Sequence, residues 1–196
     1  MRRVVFIGDS TGHGTGASDA GRTLMGQLAK DFPDAAIENY SQTGLKLRGV
    51  ERILRDRLAS GAPPANLVIV MAGGMDVIHL APLFVLKRSL RRVLDLARQN
   101  GAQTLYIAPY NAGLAPLYHF PASSFIGWRL KRAVQTYEKV AREQSAQFAS
   151  LFENTADLLS VGHFYAPDKV HPNDEGYRLW YNRLKPALVK ALDTKA

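Results

Sequence analysis

The sequence predicts an α/β fold: a three-layer α/β/α sandwich on a parallel sheet of about five strands. Three features predict it. Short apolar runs of strand length alternate with longer stretches of helical periodicity. The clearest run, residues 66–71 (NLVIVM), is rich in β-branched residues and is bounded by Pro63-Pro64 and Gly73-Gly74. The amphipathic stretches between the runs are long enough to cross over between parallel strands. A chain of 196 residues, 46% hydrophobic and 21% charged, suits one globular domain spanning 1–196.

Each element has its own signal. Residues 4–7 (VVFI) read as a buried first strand, 35–40 as the second and 66–71 as the third. Residues 104–108 (TLYIA), stopped by Pro109, form the fourth, and 148–152 the fifth. Leu47, Val50, Leu54 and Leu58 make one helical stripe, with Glu51 and Arg55 as a favourable pair on its exposed side. Leu83, Leu86, Leu90, Val93, Leu94 and Ala97 make a second. A long helical pattern runs from about 126 to 147. A last helix starts near Asn173 or Asp174, after Pro172, and reaches about 192, with Pro186 expected to kink or split it. Parallel sheets bind ligands beyond the carboxyl ends of their strands. The segments that reach that face are 8–16, 40–44, 73–79, 110–125 and the stretch before the last helix.

Composition narrows the classes. The absence of Cys excludes a disulfide scaffold, a Cys nucleophile and a Cys-ligated metal. No His pair has the spacing of a zinc helix, and neither a metal nor a cofactor is expected. The apolar run after Met1-Arg2-Arg3 is four residues long, too short for a secretory leader, and no stretch suits a membrane span. A cytoplasmic protein is expected. The formal charge of +8 sits largely on three predicted helices, 44–61, 84–100 and 125–147, each with five Lys/Arg and at most two acids. These read as solvated outer faces. The sequence shows no interleaving of basic residues with exposed aromatics, so no nucleic-acid partner is expected. Room remains for weak contact with an anionic membrane surface. Oligomeric state is not legible.

Two short motifs could carry chemistry. Gly8-Asp9-Ser10 stands at the end of the first strand, where a following helix can aim N–H groups at the site. Asp168 and His171 stand three apart in APDKVHPND, before the last helix. A Ser nucleophile needs a base, and a neutral His needs an acceptor on Nδ1 to fix its tautomer. Taken singly, the first motif is also an ordinary turn, and the second a capping Asp beside a surface His. His13, His79, His119 and His163 read as surface or satisfied core residues.

Together, the Gly-Asp-Ser near the start, the Asp-x-x-His before the last helix and the α/β alternation between them resemble the SGNH, or GDSL-type, hydrolases. The resemblance covers nearly the whole chain. It implies the flavodoxin-like fold of that family and a serine esterase that acts through an acyl-enzyme. It makes Ser10 the nucleophile, His171 the base and Asp168 its orienting acid. The Ser10 and Gly44 N–H groups would form the oxyanion hole, Gly44 closing the NYSQTG segment after the second strand. The family's third block is normally Gly-x-Asn-Asp, with the Asn side chain as third donor. Here it reads Gly73-Gly74-Met75-Asp76.

Met75 therefore stands at the Asn position, and a thioether has no hydrogen to donate. Three readings follow: a hole of two donors; a substitute donor from Asn111, His79 or His13; or a site weakened or specialised away from hydrolysis. Asp9, Gly74, Asp76, Asn111, Tyr118, Phe120 and Val170 are expected around the substrate, with Asp9 and Asp76 holding neighbouring loops by hydrogen bonds. The loop 110–128 is rich in apolar residues. It reads either as packing on the domain's own core, or as a wall for an acyl or aryl group or a subunit contact. A wall of this kind favours an ester with an apolar acyl or aryl group.

Three other readings compete. An acyltransferase or a hydrolysis-deficient binding protein would keep the same fold. Gly8-Asp9-Ser10-Thr11-Gly12 also fits the Gly-x-Ser-x-Gly elbow of α/β-hydrolases, but that elbow follows several strands rather than one. Gly12-His13-Gly14-Thr15-Gly16-Ala17, with Glu38 ending the second strand, fits a dinucleotide-binding pattern. That reading leaves Asp168 and His171 without a task.

Overall fold

The computed structural model describes residues 2–152 and 162–193. Its strands are β1 (Arg2–Gly8), β2 (Ala35–Asn39), β3 (Ala65–Met71), β4 (Gly101–Ala108) and β5 (Gln147–Ser150). They pair in parallel in the order β2-β1-β3-β4-β5. The helices are α1 (Ser10–His13), α2 (Leu24–Asp31), α3 (Leu47–Ala59), α4 (Gly74–Ile78), α5 (Leu83–Asn100), α6 (Ala122–Glu143) and α7 (Asp174–Asp193). Helices α3, α5 and α6 pack in a row on one face of the sheet, and α2 packs with α7 on the other. The expected three-layer sandwich with a parallel sheet is what the chain forms.

Burial explains the strands. Val4, Val5, Phe6 and Ile7 are wholly enclosed, as are Leu67, Val68, Ile69 and Val70. Strands covered on both faces read as continuous apolar runs rather than alternating ones. Helix α5 buries Leu86, Leu90, Val93, Leu94 and Ala97 along one stripe, as its periodicity predicts.

Several boundaries differ from expectation. In α3 the stripe continues through Arg57, not Leu58, which lies exposed. The Arg57 guanidinium is satisfied where it is buried: it donates to the Pro63 carbonyl at 2.7 Å, Asn100 Oδ1 at 3.3 Å and Glu38 Oε2 at 3.4 Å. Helix α6 begins at Ala122 and ends at Glu143, so its first turn takes up residues assigned above to a loop. Pro186 lies inside α7 without splitting it. Helix α2 is an addition. Its cap is Thr23, whose Oγ1 accepts from the Gly26 N–H at 3.0 Å. Gly26 hides this short helix in the sequence, yet only Gly fits: a Cβ there would lie 2.0 Å from the Ala20 carbonyl oxygen.

The strand order places the site. The chain leaves β1 toward β2 on one side and leaves β3 toward β4 on the other, so a crevice opens at the carboxyl ends of β1 and β3. Two buried tyrosines fix the end of β3. Tyr106 donates to the Ala72 carbonyl at 2.8 Å, and Tyr137 donates to the Gly73 carbonyl at 3.1 Å. Tyr106→Phe strands one buried carbonyl, so it should destabilise the fold by about 1 kcal/mol in urea titrations.

Candidate active site

The site begins where β1 stops. Asp9 caps α1: its Oδ1 accepts from the Thr11 N–H at 3.0 Å and from the Thr11 hydroxyl at 2.8 Å. Gly14 closes that single turn at φ +94°, its N–H donating to the Ser10 carbonyl. Ser10 is thus the first residue of a one-turn helix. Its own N–H has no acceptor within the helix. Burial raises the Asp9 pKa above the ordinary carboxylate range, against lowering by the Thr11 hydrogen bonds and the nearby His171.

The other half of the site is the turn before α7. Lys169 occupies the left-handed region at φ +61°. Around it, the Lys169 N–H donates to the Ala166 carbonyl at 2.9 Å and the Ala166 N–H donates to the His171 carbonyl at 2.8 Å. Asp168 Oδ1 accepts from the Val170 and His171 N–H groups at 2.9 and 3.0 Å. Tyr110 and the Leu117 N–H tie this turn to the loop after β4, donating to the Val170 and Lys169 carbonyls.

The two halves meet through one imidazole. His171 Nε2 lies 2.8 Å from Ser10 Oγ, and His171 Nδ1 lies 2.6 Å from Asp168 Oδ2. Burial would raise the Asp168 pKa, but the hydrogen bonds and charge of its partners hold it below the ordinary value. An ionised Asp168 can only accept. The proton therefore sits on Nδ1, and Nε2 accepts from the Ser10 hydroxyl. A hydroxyl hydrogen-bonded to an imidazole that a carboxylate orients is an arrangement that can make serine nucleophilic.

A cavity of about 240 Å³ opens beside Ser10 and His171. Gly44 and Met75, the residues that the resemblance puts at the oxyanion positions, both line it. The Gly44 loop is held by the Gln42 N–H, which donates to the Gly8 carbonyl at 3.0 Å. The Gly44 N–H has no hydrogen-bond partner among the described residues. Asp9, Gly74, Tyr118 and Val170 line the cavity; Asp76, Asn111 and Phe120 do not. Asp76 instead accepts from the Leu47 N–H at 3.0 Å, which couples α4 to the start of α3. Asn111 caps the short turn at 112–114, its Oδ1 accepting from the Gly113 N–H. Phe120 points into solvent, 84% exposed. None of the substitute donors Asn111, His79 and His13 lines the cavity; His79 Nδ1 bonds the Met75 carbonyl at 2.8 Å.

Sequence reasoning missed part of the wall. Thr43, Ile78 and Leu130 line the cavity from the second loop, α4 and α6. Only their helical phase could have marked the last two. The loop 110–128 divides between its two readings: Ala112 and Ala115 are buried, while Leu117, Phe125 and Trp128 face outward. The dinucleotide pattern is corrected as well. Gly14 caps α1, and Gly16 at φ +96° lets the His171 turn pass: a Cβ there would lie 2.4 Å from the Pro172 carbonyl. Glu38 is occupied by Arg3, Tyr40 and Arg57. Among the described residues, no group of three His, Asp or Glu could hold a metal ion.

The model of the GDSL-like lipase/acylhydrolase family matches residues 6–179, and the chain belongs to that family of hydrolases and esterases. Among solved structures it is similar to a lipolytic protein of the G-D-S-L family from Veillonella parvula DSM 2008. That match has 15% identity and a TM-score of 0.82, covering 97% of this chain and all of that one. It is similar to TesA at 20% identity and a TM-score of 0.81, again over 97% of this chain and all of that one. A third is the psychrotrophic esterase EstA of Pseudoalteromonas sp., at 17% identity and a TM-score of 0.74, covering 99% and all. Comparison with curated protein sequences gives no match.

Gly16→Ala should push the His171 turn away from Ser10. An ångström of displacement costs about 10²-fold in rate, which ester turnover at saturating substrate would read.

Proposed function

We propose that the chain is a serine ester hydrolase in which Ser10 attacks, His171 moves the proton and Asp168 orients His171. The observation that carries this reading is the hydrogen-bonded chain from Ser10 Oγ through His171 to Asp168, at 2.8 and 2.6 Å. In the first step the Ser10 oxygen bonds the ester carbonyl carbon while its proton passes to His171 Nε2. The carbonyl oxygen takes up the negative charge, facing the Ser10 and Gly44 N–H groups. The ester C–O bond then breaks, and His171 returns the proton to the leaving alcohol. Water, deprotonated by His171, attacks the acyl-enzyme in the same way and frees the acid and Ser10.

Met75 lines the cavity without a proton to offer, and the three side chains that could have replaced the donor lie elsewhere. This supports a hole of two backbone donors. It also supports a second reading, in which the fold is kept and turnover is slow, because one missing donor costs about 10²–10³ in rate. The cavity wall of Met71, Ile78, Leu130 and Val170 favours an apolar acyl or aryl group over a sugar-like one.

A fluorophosphonate probe tests the assignment. Stoichiometric labelling at Ser10, located by mass spectrometry and reduced about 10³-fold in rate by His171→Ala, is expected. Folded protein that leaves Ser10 unlabelled and does not turn over nitrophenyl esters would exclude it. Met75→Asn should raise kcat by up to about 10²-fold where the hole lacks a donor. An unchanged rate would show that a third donor is already supplied.

A further inference from the structure

Nine large apolar side chains are exposed among the described residues, and their placement is uneven. Leu80, Phe84 and Val85 lie between α4 and the first turn of α5, with Phe84 74% exposed. Leu117, Phe120, Phe125 and Trp128 lie in the loop after β4 and the first turns of α6. Seven of the nine therefore belong to the two segments that leave the carboxyl ends of β3 and β4, the end of the sheet where the cavity opens. Their chain neighbours Ile78, Tyr118 and Leu130 line that cavity.

The two segments are tied to each other. The Arg129 guanidinium donates to the Val77 and Ala81 carbonyls at 3.3 and 2.8 Å, joining α6 to the turn before α5. It also lies 5.9 Å from the Phe125 ring centre, and Arg132 lies 5.2 Å from that of Trp128. Phe125 and Trp128 are themselves 6.1 Å apart. The fold thus interleaves cations with exposed aromatics where the sequence alone showed none.

Cations stand beside the aromatics. Arg129, Lys131 and Arg132 lie in the first half of α6 and Arg88 near the start of α5, while Lys87 and Arg91 pair with Glu143 and Arg98 with Asp95. The acids at the mouth are each held by a neighbour: Asp9 by Thr11, Asp76 by the Leu47 N–H and the partly exposed Asp168 by His171.

We propose that this face docks the protein onto an anionic lipid surface, with the aromatic and aliphatic side chains entering the headgroup boundary beneath a basic collar. Apolar groups flanked by Lys and Arg are what such a surface retains. A second copy of the chain fits poorly, because two-fold pairing brings two copies of the same positively charged face together. Nucleic acid also fits poorly, since Leu80, Val85 and Leu117 offer no ring for a base to stack on. Among the described residues no helix is long and apolar enough to cross a membrane, so the attachment is peripheral. That docking brings an ester-bearing lipid to Ser10 rests on the hydrolase reading above; the docking itself does not.

Vesicle sedimentation with the full chain tests it. Ser10→Ala protein is mixed with phosphatidylcholine vesicles, either pure or with about a third phosphatidylglycerol. Binding to the anionic vesicles should be at least about ten-fold tighter, and should fall with added salt. Tryptophan emission should move to the blue on binding. Trp128 is 52% exposed and Trp180 only 2%, so the shift reports the docking face. Phe84→Ser with Phe125→Ser, or Lys131→Glu with Arg132→Glu, should abolish binding. In the Ser10 background these variants should keep wild-type turnover of a water-soluble ester, which shows that they fold.

Equal binding to both vesicle types, or none, overturns the proposal. So does a dimer in ultracentrifugation that these substitutions dissolve, or binding of a single-stranded oligonucleotide without binding of vesicles. Vesicle binding with Ser10 unlabelled by the fluorophosphonate removes only the hydrolase reading. Labelling without vesicle binding removes only the docking.

Discussion

One contact, the 2.8 Å approach of His171 Nε2 to Ser10 Oγ, joins residues 161 positions apart. Most of the local structure around it is what such a contact requires. Ser10 must stand at the end of a strand buried on both sides, which sets the apolar run from Val4 to Ile7. The His171 turn must pass close over the first loop, which requires Gly16 to lack a side chain. The imidazole must present an unprotonated Nε2, which requires an acceptor on its far side, and Asp168 is held as that acceptor by two backbone N–H groups. Hydrogen bonds from Tyr110 and Leu117 keep the turn from drifting outward.

The opposite wall of the crevice is built by different means. Its parts come from the loops after β2 and β3, which share no strand pairing of their own. Asp76 bridges them by accepting from the Leu47 N–H. Burial raises the pKa of this carboxyl, partly offset by the hydrogen bond from Leu47 and the nearby Lys46. Tyr106 and Tyr137 anchor the same wall from below through the Ala72 and Gly73 carbonyls. Met75 sits on a scaffold built as firmly as the one under Ser10. On the function proposed above, a thioether at this position alters the chemistry and leaves the frame intact.

What the sequence made legible follows from the range of each signal. Strand runs and the stripes of α5 and α6 are local patterns, and they located the sheet and its outer helices. The Ser10 and Asp168–His171 motifs were legible because each is short and the two fall in a particular order. Arg57 was not, because a buried guanidinium is tolerated only when partners from three segments surround it. Asp76 was expected to hold a neighbouring loop and accepts from the Leu47 N–H, but Asn111 was assigned to the site because of its loop, and its oxygen goes to the Gly113 N–H. Loop position does not specify side-chain direction. The glycines of 12–16 fitted a rival pattern for a related reason: what lets a phosphate approach a backbone also lets a neighbouring turn approach it.

The two halves of the site rest on supports of unequal firmness. Ser10 follows the strand paired on both edges at the centre of the sheet. His171 rides on a surface turn with one residue at φ +61° and a partly exposed Asp168. Segments of these two kinds open at different free energies, the turn well below the sheet. The contact therefore has a natural order of failure. Under mild heat or denaturant the His171 turn opens first while the strand under Ser10 persists, so the contact breaks and re-forms without the molecule unfolding.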